Sequence, residues 1–489
     1  MLDFQVESPI QNSPYEEPTK WWRIVPGETP QLLAGRRPAA YFWRKAGGAE
    51  DDNEDVGTEI TLIMVNRVRD RVRQWRAEGF PGASRISLEL LAWWQRHGRA
   101  QRLFFAQIEA AQTVIFLTEA RPDYWQGIDI RPDAPTTTQV AAGVQPLLRW
   151  ACKMATGSGK TTVMAMLAAW TILNKVASGG RDARFADFVL VLCPNVTIRS
   201  RLGELDPGRG EASLYRSRDL VPAHLMALLA QGRVLVRNWH AFELQDDGSV
   251  GGDSARVVKR GRELRERRTL RIAERASSGR GARSMTLEAY RKAQTLGLLE
   301  VVSQACDANG VPVQAEVIET RYVESDTKWL KRVLEDGARK RNIMVFNDEA
   351  HHAYRLGEDD DEDDDDDGLD AYYREATVWV EGLDRINRLM GIGRVLDFSA
   401  TPYYLGRVGN SANRPFPWVV SDFGLMEAIE SGLTKIPQFA ARDLSGEPIP
   451  GYFNIWRWIL PQLKASERGG RKQAAKPEAI LRQIGRAHV

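Results

Sequence analysis

Apolar residues recur at two different periods along the chain. Between Thr58 and Gly79, Leu62, Val65, Val68, Val72 and Trp75 fall three or four positions apart. That spacing predicts an amphipathic helix, which Gly79–Pro81 ends. A second helix is predicted after Ser87 and a third from Arg102 to Glu119. Further on the pattern shortens into apolar runs at Leu147–Met154, Phe188–Cys193, Arg233–Arg237, Ile343–Phe346 and Val395–Phe398. The run FVLVLC has no polar alternation, as expected of a strand covered on both faces. Helical segments, Thr161–Lys175 and Thr377–Met390, lie between such runs. Strand–helix alternation predicts a parallel α/β sheet. Residues 1 to 50 lack periodicity and predict loops and short strands, and after Pro437 the alternation fades.

Composition narrows the class. The 489 residues carry 67 Lys+Arg against 65 Asp+Glu, with 43% hydrophobic and 27% charged positions. This balance excludes a largely disordered chain, a collagen-like chain and a disulfide scaffold. Cys152, Cys193 and Cys306 form no CxxC pair, which predicts a reduced, cytoplasmic protein without structural zinc. No signal peptide is visible, and no apolar run is long enough to span a bilayer, so no membrane partner is expected. The charge is unevenly placed. Residues Asp253–Lys292 are basic, with an excess of roughly eight positive charges, and Glu358–Asp367 is an unbroken acidic run. The basic block reads either as a solvated helical arm or as an arm tracking a nucleic-acid backbone. The acidic run reads as a solvated loop.

Chemistry gathers at three places. Met154–Thr162 reads MATGSGKTT between a predicted strand and a predicted helix, the context that makes a phosphate-loop pattern specific. Gly157 and Gly159 let backbone N–H groups turn inward, and the helix start adds its positive dipole end. Ala155, Thr156, Gly157, Ser158, Gly159, Lys160, Thr161 and Thr162 therefore form the candidate nucleotide cradle. Lys160 supplies a charge to the phosphates, and the Thr161 hydroxyl is a candidate Mg²⁺ ligand. The first glycine of the usual pattern is Met154 here, which argues against a simple metabolic kinase. Asn342–Tyr354 (NIMVFNDEAHHAY) ends a strand in Asp348 and Glu349, a candidate Mg²⁺ ligand and a candidate base for water. Zinc held by Asp348, His351 and His352 is the alternative, disfavoured because consecutive histidines diverge on a helix. Val395–Thr401 (VLDFSAT) ends a third strand in Ser399 and Thr401.

The ordered set MATGSGKT, DEAH and SAT resembles the first RecA-like motor lobe of superfamily-two helicases and translocases. KMATGSGKT, NDEAHHAY, DFSATPYY and FGLMEAIESGLTKIPQ more closely resemble the restriction (Res) subunit of type III restriction enzymes. The resemblance covers about Arg102 to Gln438. It implies an ATP-dependent DNA translocase or helicase motor, with Mg²⁺ and ATP, double-stranded DNA as partner and a DNA methyltransferase subunit as a further partner. A stand-alone repair or defence helicase, or a nucleotide-binding module without turnover, are the alternatives. On this resemblance Lys160 and Thr161 bind nucleotide and Mg²⁺, Asp348 and Glu349 are the catalytic acids, and Ser399 and Thr401 couple hydrolysis to strand movement. RLFFAQIEA resembles the motif in which a glutamine reads adenine, placing Gln107 on the base; a surface glutamine is the other reading. LCPNVTIRS places Thr197 and Arg199 at phosphate and Asn195 as a helix cap. VRNWHAF offers Trp239 and His240 either as contacts or as core.

The organisation expected is an accessory region over residues 1–100, one motor lobe over 101–437 carrying the basic insertion 253–292 and the acidic loop 358–367, and the start of a second lobe over 438–489. No segment after Pro437 resembles the family's arginine-finger motif or a nuclease motif, and IGRAHV is similar to a translated sequencing adapter. The chain is thus expected to be an N-terminal piece that binds ATP and turns it over slowly.

Overall fold

A computed structural model describes residues 8–25, 29–43, 58–247, 249–250, 257–258, 262–273, 284–307, 310–355, 367–404 and 414–435. The chain divides into two units, Met1–Thr434 and Lys435–Val489. The acidic run up to residue 366, part of the basic block and the segment from 436 onward lie outside the described residues.

The framework of the first unit is a six-stranded sheet. Its strands are β1 (Arg149–Met154), β2 (Phe188–Cys193), β3 (Arg233–Asn238), β4 (Ile343–Asp348), β5 (Ile392–Ser399) and β6 (Val419–Phe423). They lie in the order β6-β1-β5-β4-β2-β3, and every pair is parallel. The fold is therefore α/β, as the alternation predicts. β1, β2, β4 and β6 are buried at every position, because helices cover both faces.

Alternate residues sort the sheet between two cores. Cys152, Met154, Val189, Val191, Phe346 and Phe398 face one side. There they meet α1 (Ile63–Ala77), α2 (Arg85–Gln95), α3 (Phe105–Glu119) and α4 (Lys160–Ala177). Leu190, Leu192, Val345 and Val395 face the other side. They meet Trp329 and Val333 of α5 (Asp326–Leu334) and Trp379, Leu383 and Ile386 of α6 (Asp367–Met390). α3 is buried almost all round, so it shows no apolar stripe; it lies between the other helices and the sheet edge. A short α7 (Leu425–Glu430) follows β6.

Two expectations change. The helix predicted from Thr58 begins at Ile63, because Thr58–Thr61 pairs as a strand with Ala40–Trp43. The described part of the basic block is mostly sheet rather than a helical arm. Arg262–Ile272 pairs antiparallel with Pro312–Val323, which pairs in turn with Leu299–Cys306, and the short helix Leu287–Thr295 packs beside them. The arginines of that strand meet carboxylates across the ladder. Arg265 pairs with Glu300, Arg267 with Glu316 at 2.7 Å, and Arg268 with Glu319 at 3.7 Å as well as with Glu266 of its own strand.

Candidate functional site

Parallel strands deliver their following loops to one edge of the sheet, and that edge is where α/β folds place ligands. The loop after β1 and the acids after β4 flank β5, which lies between those strands. The first loop leaves Met154 and turns through Gly157 (φ 87°) and Gly159 (φ 92°) into α4. Both angles lie in the left-handed region that costs a side-chain-bearing residue energy. The Ser158 hydroxyl and N–H both donate to the Ala155 carbonyl, at 2.7 and 3.1 Å, which tightens the turn. Thr156 and Gly157 are exposed, Ser158 is buried, and Gly159, Lys160, Thr161 and Thr162 are half-buried around the helix start.

Gly159 has a second reason to be glycine. A Cβ there would lie 2.0 Å from Nε2 of Gln107. Gln107 is 5% exposed, and its Oε1 accepts from the Phe104 N–H at 3.0 Å. The reading of Gln107 as a surface glutamine is thereby excluded, since its amide is buried against Gly159.

The acids approach from the other side. Asp348 ends β4 and is 6% exposed. Burial and the adjacent Glu349 carboxylate push Asp348 up to about 6, against the pull of Lys160. Glu349 takes φ 52°, ψ 51°, a left-handed conformation for a residue with a side chain, so its carboxylate leaves the line of the strand. It accepts from Lys160 Nζ at 2.7 Å. The lysine of the first motif and the glutamate of the second thus meet directly.

Ser399 ends β5 beneath this pair. Its Oγ lies 2.9 Å from His351 Nδ1 and accepts from the Thr401 N–H at 3.0 Å. With the serine accepting from Thr401, its own proton can go to an unprotonated Nδ1. Burial, His352 and Lys160 pull His351 down to about 4, with Glu349 opposing them, which keeps the ring neutral. His352 Nδ1 is 3.4 Å from Glu375 instead. The two rings do not diverge as expected but lie side by side, their centroids 4.4 Å apart, and among the described residues no group of three or more His, Cys, Asp or Glu is placed to hold a metal ion.

The remaining candidates spread out. Asn195 caps the helix Val196–Leu202, accepting from the Ile198 N–H at 2.9 Å. Thr197 and Arg199 are exposed on that helix. Arg199 lines a cavity of about 430 Å³ with Arg209 and Arg233. Trp239 is 7% exposed and belongs to the core, whereas the His240 side chain is 58% exposed.

Sequence reasoning missed three contacts. The His351–Ser399 bond joins the second and third motifs, yet the histidine was weighed only as a metal ligand. Thr434 donates to the Thr156 carbonyl at 3.0 Å, and the Leu433 carbonyl comes close to Gly157. Lys153, just before the loop, pairs with Asp422 of β6 at 3.1 Å. Only the adjacency of these residues to motifs could have signalled them. No family model, no curated protein and no solved structure matches the chain.

Proposed function

We propose that Met1–Thr434 contains a RecA-like motor lobe that binds and hydrolyses ATP and works on double-stranded DNA, as in the restriction subunits and helicases its motifs resemble. The observation that carries this reading is the meeting of Lys160 with Glu349 at 2.7 Å, beside two left-handed glycines and at the start of a long helix. A half-buried lysine held by a carboxylate at such a place is suited to exchange that partner for a phosphate.

The donor set fits the substrate. The N–H groups of Gly157, Gly159, Lys160 and Thr161, the α4 dipole and Lys160 favour the phosphates, and the Gln107 Nε2 beside Gly159 is a donor for the nucleotide while its Oε1 is held by the Phe104 N–H. Glu349, once released by Lys160, takes the proton of an attacking water. Thr161 and Asp348 are the oxygen ligands that would hold Mg²⁺, which neutralises phosphate charge when bound. Asp348 must lose its proton for that role. Thr197 and Arg199 are the candidate DNA contacts, so affinity for DNA is expected to be independent of sequence and to fall steeply with salt.

The test is equilibrium binding of ATP with Mg²⁺, read by calorimetry. Lys160→Ala is expected to lose most of the affinity while keeping its circular dichroism. Equal binding by parent and variant overturns the assignment. Glu349→Gln is expected to keep binding and lose whatever hydrolysis the parent shows.

A further inference from the structure

Directly under the acidic turn lies a buried cluster of charges with no part in the chemistry so far. Arg149, at the start of β1, is 1% exposed. Its Nε donates to Asp397 at 2.9 Å, one Nη to Asp133 at 3.0 Å and the other to the backbone carbonyl of Ala353 at 2.7 Å. Asp397, in β5, is wholly buried, and both of its carboxylate oxygens accept hydrogen bonds. It accepts from Arg149, from the Trp418 indole at 2.8 Å and from Asn347 Nδ2 at 2.8 Å. Asn347 in turn accepts from the Trp379 indole at 3.1 Å.

The positions of two of these contacts matter most. Asn347 immediately precedes Asp348, and Ala353 immediately follows His352. The Arg149–Asp397 pair therefore grips the segment 348–352 at both ends. Between those grips sits Glu349 with its left-handed backbone, a conformation that persists only where the surroundings over-determine it. A guanidinium suits this role because its planar fork spreads donors on three nitrogens toward three separated acceptors, whereas the donors of an ammonium all radiate from one nitrogen.

We propose that Arg149 and Asp397 are positioning residues, which hold the acidic turn so that Glu349 meets the phosphate loop and His351 meets Ser399. They act through the Asn347 side chain on one side of the turn and the Ala353 carbonyl on the other. The inference rests on the ATPase reading for its consequence, but the anchoring itself does not.

Arg149→Lys keeps a charge against the aspartates and loses the fork to Ala353. Two measurements separate the possibilities. Hydrogen exchange of the peptide spanning 349–355 is expected to speed up in the variant while that of 155–162 stays unchanged. In single-turnover hydrolysis the rate is expected to drop by about 10²-fold, as a small misplacement of a reacting group does, with ATP affinity within about twofold of the parent. Glu324→Gln serves as control, because the buried Glu324 pairs with Arg332 and holds neither end of the turn. It is expected to lower the melting temperature and leave turnover alone. If Arg149→Lys does not fold, Asn347→Ala cuts the other grip and is held to the same readings. Unchanged exchange at 349–355 in a folded variant overturns the anchor. A rate and an affinity that fall together also overturn it, since the lesion would then be general. A parent chain that binds no ATP sinks the ATPase reading instead, and the exchange experiment still decides the anchor.

Discussion

At the scale of single residues, the site depends on protonation states that burial sets. His351 needs an unprotonated Nδ1 to take the Ser399 proton, and burial keeps it so by pulling the ring from near 6.5 down to about 4. The unfolded chain takes up a proton at this ring as pH falls through 6.5, and the native state does so only near 4. The folded state is therefore favoured above 6.5, and this contribution is lost as pH falls from 6.5 to 4. The span is worth at most roughly 3 kcal/mol. His351→Gln retains a group able to bond Ser399 and has no titration. Urea unfolding between pH 7.5 and 4.5 is expected to show the parent losing more stability than the variant over that range. Parallel curves for the two proteins would contradict the neutral ring. The sequence marked Asp348, Glu349, Lys160 and Ser399 because each ends a strand or opens a helix within a recognisable string. It could not mark Arg149 or Asp397, because an arginine at a strand start signals nothing until folding brings Asp133, Asp397 and Ala353 around it.

At the scale of elements, legibility followed burial. Strands covered on both faces, such as Phe188–Cys193, show as unbroken apolar runs and were found within a residue or two. β6 was missed because Ser421 and Asp422 interrupt Val419–Phe423, although both are buried in the sheet. The strand Arg262–Ile272 was hidden by its own charges. Its inward positions are Leu264, Glu266, Arg268, Leu270 and Ile272, and the two charged ones pair with each other. A period of two in burial was thus written in residues that do not alternate in hydropathy. The same strand makes a weaker case as the electrostatic contact with DNA, because its outward Arg265 and Arg267, although solvent-exposed, are already paired with Glu300 and Glu316. The small core beneath it consists of Leu270, Tyr290, Leu299, Ala315 and Val317, apart from the cores of the main sheet. Leu270→Ala is expected to cost about 2–5 kcal/mol locally and to open 262–323 to proteolysis, while ATP affinity holds. Loss of ATP binding in that variant would show that the insertion supports the nucleotide site, contrary to this separation of cores.

At the scale of the whole first unit, the N-terminal segment is tied into the sheet edge by mostly buried charges. Arg36 is 6% exposed at its side chain, pairs with Glu109 of α3 and donates from Nε to Glu427 of α7 at 2.8 Å. Arg69 of α1 reaches the same Glu427 at 3.4 Å and donates to the Asp422 carbonyl at the end of β6. Arg37 holds Glu430 at 2.6 Å, and the Trp22 N–H donates to the same carboxylate at 2.9 Å. α3 carries both Glu109 and Gln107, so the helix that packs an amide against Gly159 is braced by a segment distant in sequence. Such a tie contributes little net stability when intact, since desolvation offsets attraction, but removing one partner strands the others. Arg36→Ala would leave Glu109 fully buried with its main counter-charge gone and Glu427 with only the longer contact to Arg69. The expected cost is about 3–5 kcal/mol, read from denaturant midpoints at unchanged slope. Arg73→Ala, which breaks half-exposed pairs with Glu17 and Asp70, should cost under about 1 kcal/mol. The contrast between these two variants is the decisive measurement. If they unfold at the same midpoint, the Arg36 cluster is hydrated in solution, and the N-terminal segment is an appendage rather than part of the brace on α3.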